Sequence, residues 1–192
     1  MFDLVEIFES LQGEGRNSGR PCVFVRFAGC NLACPWCDTD VRRRFSLSRD
    51  DLVKEIRGFK AKSVILTGGE PTLVKGMPEL VAELKKDGYW IAVETNGTND
   101  VDWLGFVDYV ACSPKRGAEP TLTAADEVRV VAEDEAIVAF CREVRGRIAA
   151  TDYYVSPCER DGKIDCATAK FVLSQLDGWS LSVQLHKLLG FR

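Results

Sequence analysis

The chain has 192 residues, with 25 Lys plus Arg against 29 Asp plus Glu, a formal charge of −4 and 46% hydrophobic residues. That is the length and balance of one globular unit, residues 1–192, whose core can form without disulfides or a structural metal. A long Lys/Arg stripe is missing, which excludes nucleic-acid binding as the main function. No run approaches the ~18 apolar residues of a membrane span, and the acidic start excludes a signal peptide, so a cytoplasmic protein with no nucleic-acid or membrane partner is expected.

In chain order, β-branched or aromatic runs predict strands at 4–7, 22–27, 63–66, 90–94, 109–112, 127–131, 152–155 and 179–183. Helical patterns lie between many of them. Ser48 and Asp51 have capping-box spacing, and Leu52, Val53, Ile56 and Phe59 follow on one face. Pro78 fits a first turn ahead of Leu80, Val81 and Leu84. A third helix carries Ile137, Val138, Phe140, Cys141 and Val144, and a fourth, starting near Asp165, carries Ala169, Val172, Leu173 and Leu176. Strand alternating with helix predicts a mostly parallel α/β sheet. A complete eight-fold barrel takes about 250 residues, and several connections here are too short for a crossover helix, so the expectation is an incomplete, open (β/α) barrel. Ligands in such sheets gather at the carboxyl ends of the strands.

Eight cysteines are present, and three fall within eight residues as Cys30-x-x-x-Cys34-x-x-Cys37, directly after the strand at 22–27. Cys22, Cys112 and Cys141 sit in apolar patterns where a thiol behaves as a small hydrophobe. Three thiolates can hold three irons of a 4Fe-4S cluster and leave the fourth open to an exogenous ligand. A zinc knuckle or plain buried thiols are the other readings of this trio, and Cys158 or Cys166 could add a fourth ligand. Ser63 to Leu66 runs into Thr67-Gly68-Gly69-Glu70-Pro71, where two glycines allow close backbone approach and a carbonyl or carboxylate can accept from an ammonium.

The cysteine spacing, with Trp36 before Cys37, resembles the radical S-adenosylmethionine (SAM) enzymes, and Gly-Gly-Glu-Pro resembles their segment for the cofactor's methionyl amino group. The resemblance implies a 4Fe-4S cluster whose open iron chelates SAM, and one-electron cleavage of SAM to a 5′-deoxyadenosyl radical. A third set narrows the choice: Leu11-Gln12-Gly13-Glu14-Gly15, Cys37-Asp38-Thr39, Glu94-Thr95-Asn96-Gly97, Ser113-Pro114-Lys115 and Gln184-Leu185-His186-Lys187. Together these resemble the 7-carboxy-7-deazaguanine synthase family, from Gln12 to Lys187.

That resemblance implies a lyase acting on 6-carboxy-5,6,7,8-tetrahydropterin in queuosine and archaeosine precursor synthesis, by radical ring contraction with loss of ammonia. It implies Mg²⁺, a homodimer, and an electron donor such as a flavodoxin or ferredoxin. Carried over by residue, Leu11, Gln12, Gly13 and Thr67 meet the pterin, Arg26 meets its carboxylate as a bidentate fork, and Thr39 brings its hydroxyl to Mg²⁺. Trp36, Cys37, Asp38, Gly69, Ser113, Pro114 and Lys115 surround SAM. No protein residue is assigned as catalytic, the radical chemistry being the cofactor's. Arg26 could instead pair with Glu14 or Asp38, Thr39 could cap a turn, and Ser113-Pro114 could simply end a strand. Ser156-Pro157-Cys158 stands where the family often carries Gln-Pro, and His186, the one histidine, reads as structural. Competing functions are an activating protein that makes a glycyl radical on a partner and a non-enzymatic iron–sulfur electron carrier.

Overall fold

The structure is a computed structural model that describes residues 1–160 and 162–191. Its first half runs β1 (Phe2–Leu11), β2 (Pro21–Phe27), β3 (Phe45–Leu47), α1 (Arg49–Arg57), β4 (Ser63–Gly68), α2 (Met77–Lys86), β5 (Trp90–Thr95) and β6 (Tyr109–Cys112). There follow β7 (Ala124–Ala132), α3 (Ile137–Arg147), β8 (Ala149–Pro157), the short pair β9 (Glu159–Arg160) and β10 (Lys163–Ile164), α4 (Cys166–Ser174), β11 (Ser180–Leu181) and α5 (Leu185–Leu189).

Nine strands form one sheet in the order β11-β8-β7-β6-β5-β4-β2-β1-β3. From β2 to β11 every pairing is parallel, while β1 runs antiparallel to both β2 and β3, so the sheet ends in two short edge strands and does not close. This is the expected open α/β barrel. The β5–β6 connection holds only a 3-10 turn, Asp102–Phe106, and 113–123 crosses from β6 to β7 without a helix. Helix α1 starts where its cap predicts: Ser48 Oγ accepts the Asp51 N–H at 3.1 Å and donates to Asp51 Oδ2.

The two-residue period of the strands builds the site. Val23, Val25 and Phe27 of β2, Val64 and Leu66 of β4, and Ile91 and Val93 of β5 pack in the main core with Leu52 and Ile56 of α1 and Leu80 and Leu84 of α2. Their neighbours Phe24, Ile65 and Ala92 point to the other face, where they join Phe8, Cys22, Tyr109 and Ala111 in a second apolar cluster. Two residues further along on that same face stand Arg26, Thr67 and Glu94, held level by the pairings Arg26↔Thr67 and Ile65↔Ala92. The concave side of the sheet is thus an apolar floor that turns polar toward the carboxyl ends of the strands.

Candidate active site

β2 ends at Phe27, and the chain turns through Gly29 at φ +84°, whose N–H donates to the Val41 carbonyl at 2.8 Å and closes the cysteine loop. Cys30, Cys34 and Cys37 all line one cavity of about 400 Å³ at the carboxyl end of the sheet, and none is in a disulfide. Among the described residues no three His, Cys, Asp or Glu gather tightly enough to hold a single metal ion. Three thiols spread around a cavity suit a polynuclear cluster with one iron left open. Neither candidate for a fourth thiol lines the cavity: Cys158 is buried elsewhere and Cys166 is exposed on α4. Burial pushes Cys22, Cys112 and Cys141 up to about 12, which keeps them as thiols inside the core.

The Gly-Gly-Glu-Pro segment docks directly onto this loop. The Gly69 N–H donates to the Phe27 carbonyl at 3.0 Å and the Glu70 N–H to the Gly29 carbonyl at 2.9 Å, and a Cβ on Gly69 would overlap the Gly29 carbonyl oxygen. The glycines therefore serve backbone against backbone. Glu70 is buried, and its carboxylate accepts from the Thr72 N–H and hydroxyl, the Thr95 hydroxyl and the Asn96 N–H. Gly68 and Gly69 line the cavity and Glu70 does not, so an ammonium acceptor offered from this segment would be a backbone carbonyl.

A buried charge network forms the far wall. Arg129 of β7 is 5% exposed in its side chain and faces three carboxylates: Nη1 on Glu14 Oε2, Nη2 on Glu94 Oε1 at 2.8 Å and Nε 2.9 Å from Glu127 Oε1. Glu94 also accepts from Gln12 Nε2 at 3.0 Å and from the Thr67 hydroxyl at 2.9 Å. Lys115 donates to Ser113 Oγ at 2.6 Å and stands over the Trp36 ring, while burial lowers its pKa from the ordinary value. A strap from the C-terminal segment ties the cysteine loop down: Lys187 Nζ bridges Asp38 Oδ2 at 2.8 Å and Glu159 Oε2 at 2.7 Å, and Gln184 Nε2 reaches the same Asp38 oxygen.

Ten of the residues singled out by sequence come together around the cavity: Cys30, Cys34, Trp36, Cys37, Asp38, Thr39, Thr67, Gly69, Ser113 and Lys115. Five do not line it, each for a visible reason. Leu11 ends β1 opposite Pro21. The Gln12 side chain is held between Glu94 and the Glu14 N–H, with its own backbone bonded to Arg20 and Gly19. Gly13 is covered by the His186 ring and gives its carbonyl to the Leu185 N–H. Arg26 turns its Nε to Glu6 Oε1 at 2.8 Å, its cross-strand neighbour, rather than to Glu14 or Asp38. Pro114 is buried behind Ser113. Sequence reading missed Glu14, Glu94 and Arg129 as lining residues, although Glu14 and Glu94 lay inside motifs already marked. Ser156 and Pro157 line the cavity too.

Burial works to raise the Glu94 carboxyl, but the Arg129 guanidinium and hydrogen bonds from Arg129, Gln12 and Thr67 override it and hold the pKa down to about 2, against an ordinary 4.5. A carboxyl lowered in the folded state contributes stability that is complete above its unfolded pKa and is lost as pH falls through the folded one. The stability advantage of wild type over Glu94→Gln is therefore expected to shrink by about 3 kcal/mol between pH 4.5 and 2, read by urea unfolding. A constant difference across that window would sink the assignment. Glu14 goes the other way: burial raises it, and attraction to Arg129 only partly offsets this.

Three comparisons relate the chain to known proteins. The Radical SAM superfamily profile matches residues 24–127, which makes the chain a radical SAM enzyme with a 4Fe-4S cluster and SAM as its cofactors. Curated relatives named 7-carboxy-7-deazaguanine synthase include one from Haemophilus influenzae, 44% identical over 98% of this chain and 93% of the relative. Another, from Neisseria meningitidis, is 41% identical with the same coverage. The chain belongs to the 7-carboxy-7-deazaguanine synthase family. The crystal structure of QueE from Escherichia coli shares its fold with a TM-score of 0.80 at 24% identity, covering 96% of this chain and 94% of that one.

Proposed function

We propose that the cavity converts 6-carboxy-5,6,7,8-tetrahydropterin to 7-carboxy-7-deazaguanine with loss of ammonia, in 7-deazapurine synthesis. The observation that carries this reading is the meeting of three free thiols with Thr39, Thr67, Glu14, Glu94 and Lys115 around one cavity. Cys30, Cys34 and Cys37 hold the cluster, which with SAM supplies one-electron cleavage and a carbon radical able to abstract hydrogen.

The chain's own residues do the rest. Trp36, Asp38, Gly69, Ser113 and Lys115 surround SAM, and the Lys115 ammonium over Trp36 presents a positive charge to its carboxylate. Thr39, half-buried and hydrogen-bonded to Asp38 Oδ1 at 3.3 Å, offers its hydroxyl oxygen to Mg²⁺, a hard ion that takes such oxygen ligands. Glu94, ionised, accepts from N–H donors of the pterin, with Thr67 and Gln12 setting its rotamer. Glu14, paired with the same Arg129 guanidinium, lines the cavity beside Glu94 as a second acceptor for the substrate.

The enzyme takes a small-molecule substrate and needs a reductant. A flavodoxin or ferredoxin is the donor in this reading, and the chain acts as one unit in a homodimer, for which exposed Phe171, Leu181, Leu188 and Leu189 offer apolar contact surface. A monomeric mass by light scattering would remove the dimer. In this reading the enzyme works in the cytoplasm; among the described residues no helix is long and apolar enough to cross a membrane.

The deciding experiment incubates anaerobically reconstituted protein with SAM, reductant, Mg²⁺ and the pterin, and looks for 7-carboxy-7-deazaguanine by mass spectrometry. Its formation is the expected result. Formation of 5′-deoxyadenosine without the deazapurine would keep the radical chemistry and reject the substrate.

A further inference from the structure

Three carboxylates around one buried guanidinium is an arrangement that none of the cofactor roles uses. Arg129 lies on β7 between Glu127, two residues earlier on the same strand, and the cavity. Glu127 is buried and tightly held: its Oε2 accepts from the Tyr109 hydroxyl at 2.7 Å and from the Arg16 N–H at 2.9 Å. It fits there because residue 15 is glycine, since a Cβ at Gly15 would overlap both Glu127 oxygens. Glu127 in turn stands 2.9 Å from Arg129 Nε. Glu127 thus holds the guanidinium from behind by charge and not by a hydrogen bond, since the buried Arg129 Nε has no hydrogen-bond partner, and the two terminal nitrogens point forward to different elements, Nη1 to Glu14 in the loop after β1 and Nη2 to Glu94 at the end of β5. Both of those carboxylates line the cavity.

We propose that Arg129 is a positioning residue for the pterin: anchored by Glu127, its guanidinium fork sets the separation and orientation of the Glu14 and Glu94 carboxylates that receive the substrate's N–H donors. This rests on the functional reading above. The planar fork is what makes the role possible, because two rigidly related N–H groups fix two acceptors relative to each other, while a lysine ammonium is a single point on a flexible stem. The three acids also need a buried counter-charge: without Arg129, Glu14, Glu94 and Glu127 would lose their shared partner and repel one another. The opposite pKa directions of Glu14 and Glu94 fit a pair that a single cation serves unequally.

The test is steady-state kinetics on reconstituted holoenzyme, with iron content and thermal midpoint measured alongside. Arg129→Lys is expected to keep wild-type iron and to raise KM for the pterin about 10-fold with kcat little changed. Arg129→Met should raise KM about 100-fold and lower the thermal midpoint, because it leaves Glu14, Glu94 and Glu127 without their shared buried counter-charge. Adding Glu127→Gln to Arg129→Met removes the deepest of the three charges, so the double variant should regain part of the lost stability while KM stays high. Return of KM together with stability would reduce Arg129 to a structural residue and overturn the proposal, as would a kcat loss at unchanged KM in Arg129→Lys. If Arg129→Met fails to fold, Arg129→Lys decides. Wild-type enzyme that makes no deazapurine overturns the functional reading and this inference with it, whereas wild-type turnover matched by the variants overturns this inference alone.

Discussion

Gly69→Ala is expected to leave the protein folded, with unchanged far-ultraviolet circular dichroism, yet to lower product formation by more than about 100-fold and to deplete bound iron. The new methyl group would sit on the Gly29 carbonyl oxygen, a backbone atom that cannot rotate away. Relief requires the Gly-Gly-Glu-Pro segment and the cysteine loop to separate, breaking the Gly69-to-Phe27 and Glu70-to-Gly29 hydrogen bonds that register one against the other. The three thiols then lose their common cavity. Gly105→Ala is the control, since a Cβ there meets nothing within 4 Å and should change neither iron nor activity. Full iron and full activity in Gly69→Ala would show that the contact between the two segments is dispensable.

Glu70→Ala should act on stability with comparable force. Its carboxylate is 1% exposed and accepts four hydrogen bonds, from two backbone N–H groups and two hydroxyls. Removing it strands those donors in a dry site at about 1–3 kcal/mol each, partly relieved by rotation of the Thr72 and Thr95 hydroxyls. A net loss of about 4 kcal/mol follows, a large share of the roughly 5–15 kcal/mol that keeps a domain folded. At about 2–4 °C per kcal/mol for a chain of this size, the thermal midpoint should drop by about 10 °C. Glu70→Gln should fall between, because its amide keeps one acceptor and turns a second donor against existing ones. A wild-type midpoint in Glu70→Ala would mean that these four bonds hold nothing together.

Both predictions concern a motif that reads plainly in the sequence but whose physical role does not. Gly-Gly-Glu-Pro looked like a ligand-facing segment with glycines for close approach and a carboxylate to spare. In the fold the close approach is to the Gly29 backbone and the carboxylate is used internally. Likewise Arg26 looked like a free fork, and only strand pairing brings Glu6 beside it.

What the sequence determines by itself is the local chemistry. The alternation of strand and helix, the cap at Ser48, the cysteine spacing and the apolar faces are all written in neighbouring residues, because the 2.0 and 3.6 periods and the reach of a capping side chain span only a few positions. The four helices and the parallel strands therefore appear where the pattern places them, while β3, the β9–β10 pair and α5, each two to five residues long, are too short to carry a period. What only the tertiary structure decides is which charges meet. Only Glu127 is a neighbour of Arg129 in sequence, two residues away on β7; Glu14 and Glu94 reach it from a loop and another strand, as many as 115 residues away, and no local rule pairs them. Their meeting follows from the parallel register, which sets the ends of β5 and β7 side by side around β6, and from the loop after β1 that the C-terminal segment presses down through Gly13 and Gly15. A buried charge is stable only where such long-range neighbours neutralise it, so the wall of the cavity exists only in the folded chain.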